Sequence, residues 1–121
     1  MLQNQIPDKG SYTKASANVC FGAQRVCLDT ARYAMDSSGE YADRQFIRLL
    51  LDTAALCHAA MDANEQVSWL KNHALSACAA MCARVAEACD KYPDDERMIR
   101  CARTCRDCVK YCIEVNTATV A

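Results

Sequence analysis

The chain contains few of the residues that interrupt helices, with three glycines and two prolines in 121 residues. No apolar run approaches the ~20 residues that a membrane-spanning helix needs. Charge is nearly balanced, with 15 Asp+Glu against 14 Lys+Arg, so nothing indicates binding to nucleic acid or to an anionic membrane. The N-terminal residues lack the apolar stretch of a secretory signal, and we therefore expect a cytoplasmic protein with reduced thiols.

Cysteine is the residue in excess, with ten in the chain, about the density at which a secreted disulfide scaffold is the usual interpretation. Two features oppose that interpretation. Disulfide scaffolds are rich in loops, whereas this chain is poor in glycine and proline and rich in alanine. Cysteines one helical turn apart also have poor disulfide geometry and would close only a short loop. We therefore favour free thiols.

Seven of the ten cysteines lie within residues 78–121, and their spacing is that of one helix face. In the last segment the cysteines follow steps of four, three and four, at Cys101, Cys105, Cys108 and Cys112. The segment before it repeats the pattern with Cys78, Cys82, Val85 and Cys89. Because residues three and four apart share a helix face, each segment predicts a stripe of thiols where a helical core normally has leucine.

The few breaks in the sequence separate four long helices. We predict these helices from after Ser11 or Thr13 to about 35, from about 40 to 61, from about 69 to 91 and from about 94 to 114. Residues 1–11 and 116–121 are expected to be irregular. Long helices joined by short loops, with no competing β-pattern, predict an all-α fold. Residues 1–121 should form a single domain, an antiparallel up-down-up-down four-helix bundle.

The three remaining cysteines fit the inside of the same bundle. Cys20 and Cys27 are seven residues apart and share a stripe of the first helix, while Cys57 continues the apolar stripe of the second. Counting ~1.5 Å per residue from the turns predicts which thiols lie level with one another. One expected level holds Cys20, Cys57, Cys78 and Cys112, and another, near the turn at Pro93, holds Cys89 and Cys101.

Thiols at this spacing suit a soft metal ion. Two thiolates at i and i+4 lie roughly 5–6 Å apart at Cβ, which a metal with two-sulfur coordination can bridge. Cu(I) prefers thiolates and accepts two or three of them, with a third ligand supplied across the bundle. Zn²⁺ is the main rival, since four thiols from the last two helices could hold it tetrahedrally. An iron–sulfur cluster is a further alternative, although its cysteines normally lie in loops.

Two interpretations in which the thiols bind no metal remain open. Free cysteine is often buried as a small hydrophobe, so the chain could be a helical interaction or scaffold protein with inert core thiols. A nucleophilic Cys–His pair would need His58 or His73, but no cysteine is set apart and His58 points about 100° away from Cys57 on an ideal helix. His73 and Met61 could instead form a soft entrance for Cu(I), although we favour Met61 as a side chain that fills the core.

The second half of the chain resembles the Cys-rich four-helix-bundle copper storage proteins. The segments Cys78–Cys82 with Cys89, and CARTCRDCVKYC over residues 101–112, are similar to the family's C-A-x-x-C-x-x-C-x-x-x-C repeats. Leu56-Cys57 is similar to the end of the family's second helix. The resemblance implies a bundle, often tetrameric, that binds many Cu(I) ions inside through cysteine pairs and stores copper in the cytosol. Family cysteine positions are occupied here by Gln24, Ala31, Thr53, Leu75, Val85 and Met98.

We therefore predict a non-enzymatic cytoplasmic protein, a homo-oligomer and by resemblance a tetramer, that stores or buffers Cu(I). We expect no nucleic-acid or membrane partner. The predicted ligands, from those with most support in the spacing to those with least, are Cys101, Cys105, Cys108, Cys112, Cys78, Cys82, Cys89, Cys57, Cys20 and Cys27. The alternatives are an inert scaffold and a zinc-binding bundle.

Overall fold

The structure is a computed structural model of the chain. It describes residues 18–39, 41, 43–66 and 68–116 with their side chains. The helices are α1 (Leu2–Asp36), α2 (Arg44–Glu65), α3 (Lys71–Cys89) and α4 (Glu96–Val120). By these bounds, α1 and α4 extend into both ends that the sequence predicted to be irregular, and of the side chains at these ends only that of Asn116 is described. Among the described residues, no helix holds a stretch that is long and apolar enough to cross a bilayer.

The connections show why each helix starts or ends where it does. The turn after α1 contains Gly39 with φ +106°, a conformation that costs little only for glycine. Asp43 caps α2, because its side chain accepts a hydrogen bond from the Gln45 N–H at 3.0 Å. Ser68 lies one turn ahead of α3 and accepts from the Leu70 N–H at 3.1 Å. Helix α2 begins and ends about four residues later in the sequence than predicted.

Contacts between helices identify an antiparallel bundle. Each helix packs on the next in sequence, and α1 closes the bundle against α4. Near the end of α4, Asn116 donates to the Asn72 carbonyl at the start of α3, so these two helices run in opposite directions. Tyr33 near the end of α1 donates to Asp95, which directly precedes α4. The predicted four-helix bundle is therefore confirmed.

The core is built from small side chains. Alanines and cysteines make up most of the fully buried positions, and the largest fully buried side chains are Leu50, Leu75, Met98 and Val85. Small residues on facing stripes let helices approach closely and leave room for sulfur rather than for interlocking leucines. The centre of this bundle is consequently a column of thiols with apolar side chains above and below it.

Candidate metal centre

All ten cysteines are free and buried, with at most 1% of their surface exposed. Their helices direct them inward because the cysteine spacings follow the 3.6-residue helical repeat. Each of the ten predicted ligand positions therefore faces the bundle axis. Such complete burial is unusual for reactive thiols, and it protects them from solvent and from oxidation.

Nine of the ten thiols fall into groups whose sulfur atoms all lie within 4.8 Å of one another. The Cys27 group contains Cys27, Cys101 and Cys105. The Cys20 group contains Cys20, Cys108 and Cys112. The Cys57 group contains Cys57, Cys78, Cys82 and Cys108. Cys108 belongs to two groups and joins them.

Each group combines an i, i+4 pair with a thiol from a neighbouring helix. The pairs come from α3 or α4, as the spacing predicts, and the neighbouring thiol comes from α1 or α2. The Cys57 group has one further thiol, Cys108 of α4. Cys27 Sγ lies 3.7 Å from Cys105 Sγ. Cys57 Sγ lies 3.6 Å from Cys78 Sγ and 3.8 Å from Cys82 Sγ. Each group therefore contains a third thiol from another helix, where a third ligand was expected.

The groups form one continuous path along the bundle. Cys108 Sγ lies 3.9 Å from Cys112 Sγ and 3.7 Å from Cys78 Sγ, so the Cys20 and Cys57 groups are in contact. Cys105 of the Cys27 group lies close enough to Cys82 of the Cys57 group to lower the pKa of the Cys82 thiol, so these two groups are neighbours. An ion bound at one group could thus pass to the next by exchanging one sulfur at a time.

Cys89 is the one cysteine outside the three groups. Its neighbour is Cys101, near the turn that contains Pro93, as the helix counting predicts. A hydrogen bond to Cys101, followed by burial, raises the pKa of the Cys89 thiol above its ordinary value. Cys89 can therefore supply at most an additional ligand next to the Cys27 group.

The sulfur separations match those of a metal thiolate site. With a metal–sulfur bond of about 2.3 Å, as in zinc thiolates, three sulfurs around one ion in a plane are roughly 4 Å apart. The measured separations of 3.6–3.9 Å are close to this value before any ion is bound. Two of the groups bring three thiols together among the described residues, the number that suits Cu(I) better than tetrahedral Zn²⁺.

Each group also favours one thiolate among its members. The pKa of Cys82 is lowered by hydrogen bonds from Cys105, then Cys108 and Cys57, which outweigh burial. The pKa of Cys101 is lowered by Cys105, then by Cys27 and Cys89. In the Cys20 group, the pKa of Cys20 is lowered by Cys108 and then by Cys112. The pKa of every other cysteine is raised, so each group can supply its first thiolate more easily than its second.

Positions at which the family resemblance implies cysteine are mostly buried in the same column. Those with no exposed surface are Ala31, Thr53, Leu75, Val85 and Met98, whereas Gln24 is half-buried. Thr53 donates its hydroxyl proton to the Leu49 carbonyl at 2.7 Å and so fits without a partner from another helix. Leu75 and Met98 are fully buried and lie one turn before the first cysteine of α3 and of α4, respectively.

The histidines lie apart from the thiols. His58 and His73 are both exposed, and Met61 is half-buried against the apolar core. This placement agrees with Met61 as core filler and leaves no Cys–His pair among the described residues. The spacing of the sequence did not reveal Asn72 and Asn116, whose side-chain oxygens are buried beside the end of the column. No sequence signal marks them, because a lone asparagine near a helix end is ordinary.

Comparison with known proteins places this geometry in context. The family model described as "Copper storage protein" matches residues 9–117. The fold is similar to that of the Nmul_A1745 protein from Nitrosospira multiformis, with a TM-score of 0.80 and 22% identity over 90% of this chain and 98% of that chain. It is also similar to the Cu(I)-bound copper storage protein BsCsp3, with a TM-score of 0.78 and 23% identity over 85% of this chain and 96% of that chain. No curated protein matches significantly.

Proposed function

The chain belongs to the copper storage protein family, and we propose that it holds Cu(I) on the thiols of its core as a store or buffer. The observation that carries this proposal is the construction of the three groups. Each brings an i, i+4 pair of thiols and a thiol from another helix within 4.8 Å of one another. Thiols that only filled the core would not be expected to repeat that arrangement three times.

The proposed ligands divide into those inside the groups and one outside. The nine thiols of the Cys20, Cys27 and Cys57 groups are the principal ligands, and Cys89 is an accessory ligand next to Cys101. The protein performs no catalysis in this proposal, because its chemistry is reversible exchange of thiolate ligands on copper. Ten unpaired thiols favour a compartment in which thiols stay reduced, and we propose the cytoplasm.

We also propose that the chain acts as a homo-oligomer, with the tetramer implied by the family resemblance. Half-exposed apolar side chains follow α1 at seven-residue intervals, at Phe21, Leu28 and Met35. This spacing gives one side of the helix an apolar stripe that a second copy could cover. Light scattering on the purified protein measures the assembly directly.

A zinc function is the second candidate, and one group favours it. The Cys57 group has four thiols, the number that a structural zinc site requires. Cys108 is the member that α4 contributes. Binding of one Zn²⁺ that Cys108→Ser abolishes, with no uptake of Cu(I), would make zinc the better assignment.

The test of copper storage is an anaerobic Cu(I) titration of the reduced protein against a chelator of known affinity. We expect several equivalents per chain to bind. Serine at Cys101, Cys105, Cys108 and Cys112 together removes the pairs of two groups, so uptake should fall to what Cys57, Cys78 and Cys82 retain. A control variant with serine at Arg100, Arg103 and Lys110, which are exposed on the same helix, should bind as the parent does. Unchanged uptake in the cysteine variant would contradict the proposal.

A further inference from the structure

A surface cavity between α3 and α4 reaches the end of the thiol column. Its volume is about 310 Å³, and its lining includes Cys112, Ser76, Ile113 and Asn116. Cys112 belongs to the Cys20 group, so this cavity leads directly to a complete set of three thiols. The volume is at the lower limit of cavities that bind small molecules, and it is too small for a folded protein segment.

Two buried oxygens beside this cavity have no hydrogen-bond partner among the residues that the structure describes. They are the side-chain oxygens of Asn72 and Asn116. The orientation of the Asn116 amide is set by its nitrogen, which donates to the Asn72 carbonyl at 3.1 Å and to Ser76 Oγ at 2.8 Å. A buried acceptor without a donor costs roughly 1–3 kcal/mol. Two of them at one place indicate that a hydrogen-bond donor enters here.

The ends of the bundle offer a poorer route to the thiols. Of the described residues, Leu75 and Val115 are buried toward the end of the bundle where α3 begins, and Met98 is buried toward the end where α4 begins. At the Met98 end, Asp95 also holds Tyr33 and Tyr41 at 2.7 Å each, which ties the helix ends together. A copper ion that moves along the axis would have to pass these side chains, whereas the lateral cavity is lined by Cys112 itself, beside Leu75.

A second cavity on the same side of the bundle reaches a different thiol. It has a volume of about 470 Å³ and is lined by Cys89, Ile99 and the charged side chains of Asp90 and Arg106, among others. Asp90 and Arg106 form an ion pair at its rim. Cys89 lies outside the three groups, next to Cys101 of the Cys27 group. An ion captured there would be held first by a thiol that belongs to none of the groups.

We propose that the cavity at Cys112 is the port through which Cu(I) on a small-molecule thiolate reaches the thiol column. This inference rests on the proposed storage function. Cys112 forms a sulfur–copper bond, one carrier thiolate leaves the ion, and the proton of the Cys112 thiol leaves with that carrier as a free thiol. Copper stays in the +1 state. Cys108, 3.9 Å from Cys112, then takes the ion toward the Cys57 group by the same exchange.

A matched pair of substitutions tests the port. Ile113 lines the Cys112 cavity and Ile99 lines the Cys89 cavity, and both are on α4 with 54% and 39% of their surface exposed. Ile113→Trp should obstruct the port without disturbing the core, and Ile99→Trp is its control. In stopped-flow loading from a Cu(I)–glutathione complex, we expect Ile113→Trp to load at least tenfold more slowly and to reach the copper content of the parent. Ile99→Trp should load at the parent rate.

Two results would overturn the port. One is a parent-like rate in Ile113→Trp, and the other is slowing by Ile99→Trp alone, which would place the port at Cys89. A second measurement does not depend on copper binding. In the reduced metal-free protein, substoichiometric iodoacetamide should label Cys112 first by peptide mass spectrometry, and Ile113→Trp should suppress that labelling. Earlier labelling of Cys89 or Cys20 overturns the port, even in a protein that stores no copper.

Discussion

The two helical hairpins of this bundle contribute unequally to its centre. The α3–α4 hairpin supplies seven thiols, including every i, i+4 pair, whereas the α1–α2 hairpin supplies three thiols that are separate from one another. Each group nevertheless includes one of the three thiols of the α1–α2 hairpin. The comparison suggests a division of roles, in which α3–α4 sets how many ions bind and α1–α2 sets how tightly each is held.

The same comparison explains where the stability of the protein comes from. On the inner face of α1, alanines such as Ala23, Ala31 and Ala34 take most of the remaining buried positions. Burying an alanine or a cysteine contributes less than burying a leucine, because less apolar area leaves water. A bundle with this core therefore gains comparatively little free energy of folding from the burial of its side chains. Ions that join α1 or α2 to the opposite hairpin would add to its stability by mass action.

The largest expected effect comes from removing the single thiols of α1–α2 together, as Cys20→Ser, Cys27→Ser and Cys57→Ser. The Cys20 and Cys27 groups then keep only a pair on α4, and the Cys57 group keeps Cys78, Cys82 and Cys108, all on the α3–α4 hairpin. We therefore expect a similar number of ions, with affinities at least tenfold weaker at the sites reduced to a pair, about 1.4 kcal/mol per site. The rise in melting temperature on adding Cu(I), clear in the parent, should largely disappear because no ion joins the two hairpins. Competition titration and calorimetry measure the two effects.

A control for that variant keeps the number of substitutions and changes the hairpin. Serine at Cys78, Cys105 and Cys112 breaks every pair and leaves ligands on different helices. The copper that remains bound should still raise the melting temperature. Equal loss of this thermal effect in both triple variants would show that the hairpins do not differ in the way proposed.

A smaller effect is expected from giving α2 a pair of its own. Thr53 is fully buried one turn before Cys57, and its hydroxyl bonds only to the Leu49 carbonyl among the interactions that the structure describes. Thr53→Cys keeps a side chain of similar size and creates an i, i+4 pair on the thiol-poor hairpin. We expect uptake of about one further Cu(I), with little change in the stability of the metal-free protein. Thr53→Ser is the matched control, and equal copper uptake in the two variants would contradict the expectation.

The sequence predicts which face of each helix carries thiols better than it predicts which thiols meet. All ten cysteines are buried as the spacing requires, because the helical repeat fixes the face. The partners of Cys57 depend on how far α2 is shifted along the bundle. This helix begins at Arg44, about four residues later than predicted. Four residues correspond to roughly 6 Å along the helix axis. With this shift, the Cys57 thiol lies close to the thiols of Cys78 and Cys82. Loop conformation sets that shift, and spacing within a helix does not report it.

The smallest expected effect on copper binding comes from substituting Asp95. The same substitution tests which contacts join the two hairpins in the absence of metal. Its carboxylate accepts from Tyr33 on α1, from Tyr41 between α1 and α2, and from the backbone N–H groups of Arg97 and Met98 on α4. Asp95→Ala should lower the free energy of unfolding by about 2 kcal/mol, because it removes a helix cap and the acceptor of two tyrosines. Copper uptake should not change. Asp94→Ala, at the exposed neighbouring position, is the control and should unfold as the parent does.

The pH dependence of this contribution distinguishes a charge effect from a packing effect. Burial raises the pKa of Asp95, but the hydrogen bonds from Tyr41, Tyr33, Met98 and Arg97 outweigh burial and hold the pKa below its ordinary value. The carboxylate therefore stabilises the fold fully above the unfolded pKa of about 3.9, and this stabilisation is lost as pH falls through the lower folded value. Urea unfolding should show the parent and Asp95→Ala converging as the pH falls from 7 toward 2.5. A gap that stays constant with pH would mean that the tyrosines contribute through packing, and the joint between the hairpins would then be apolar.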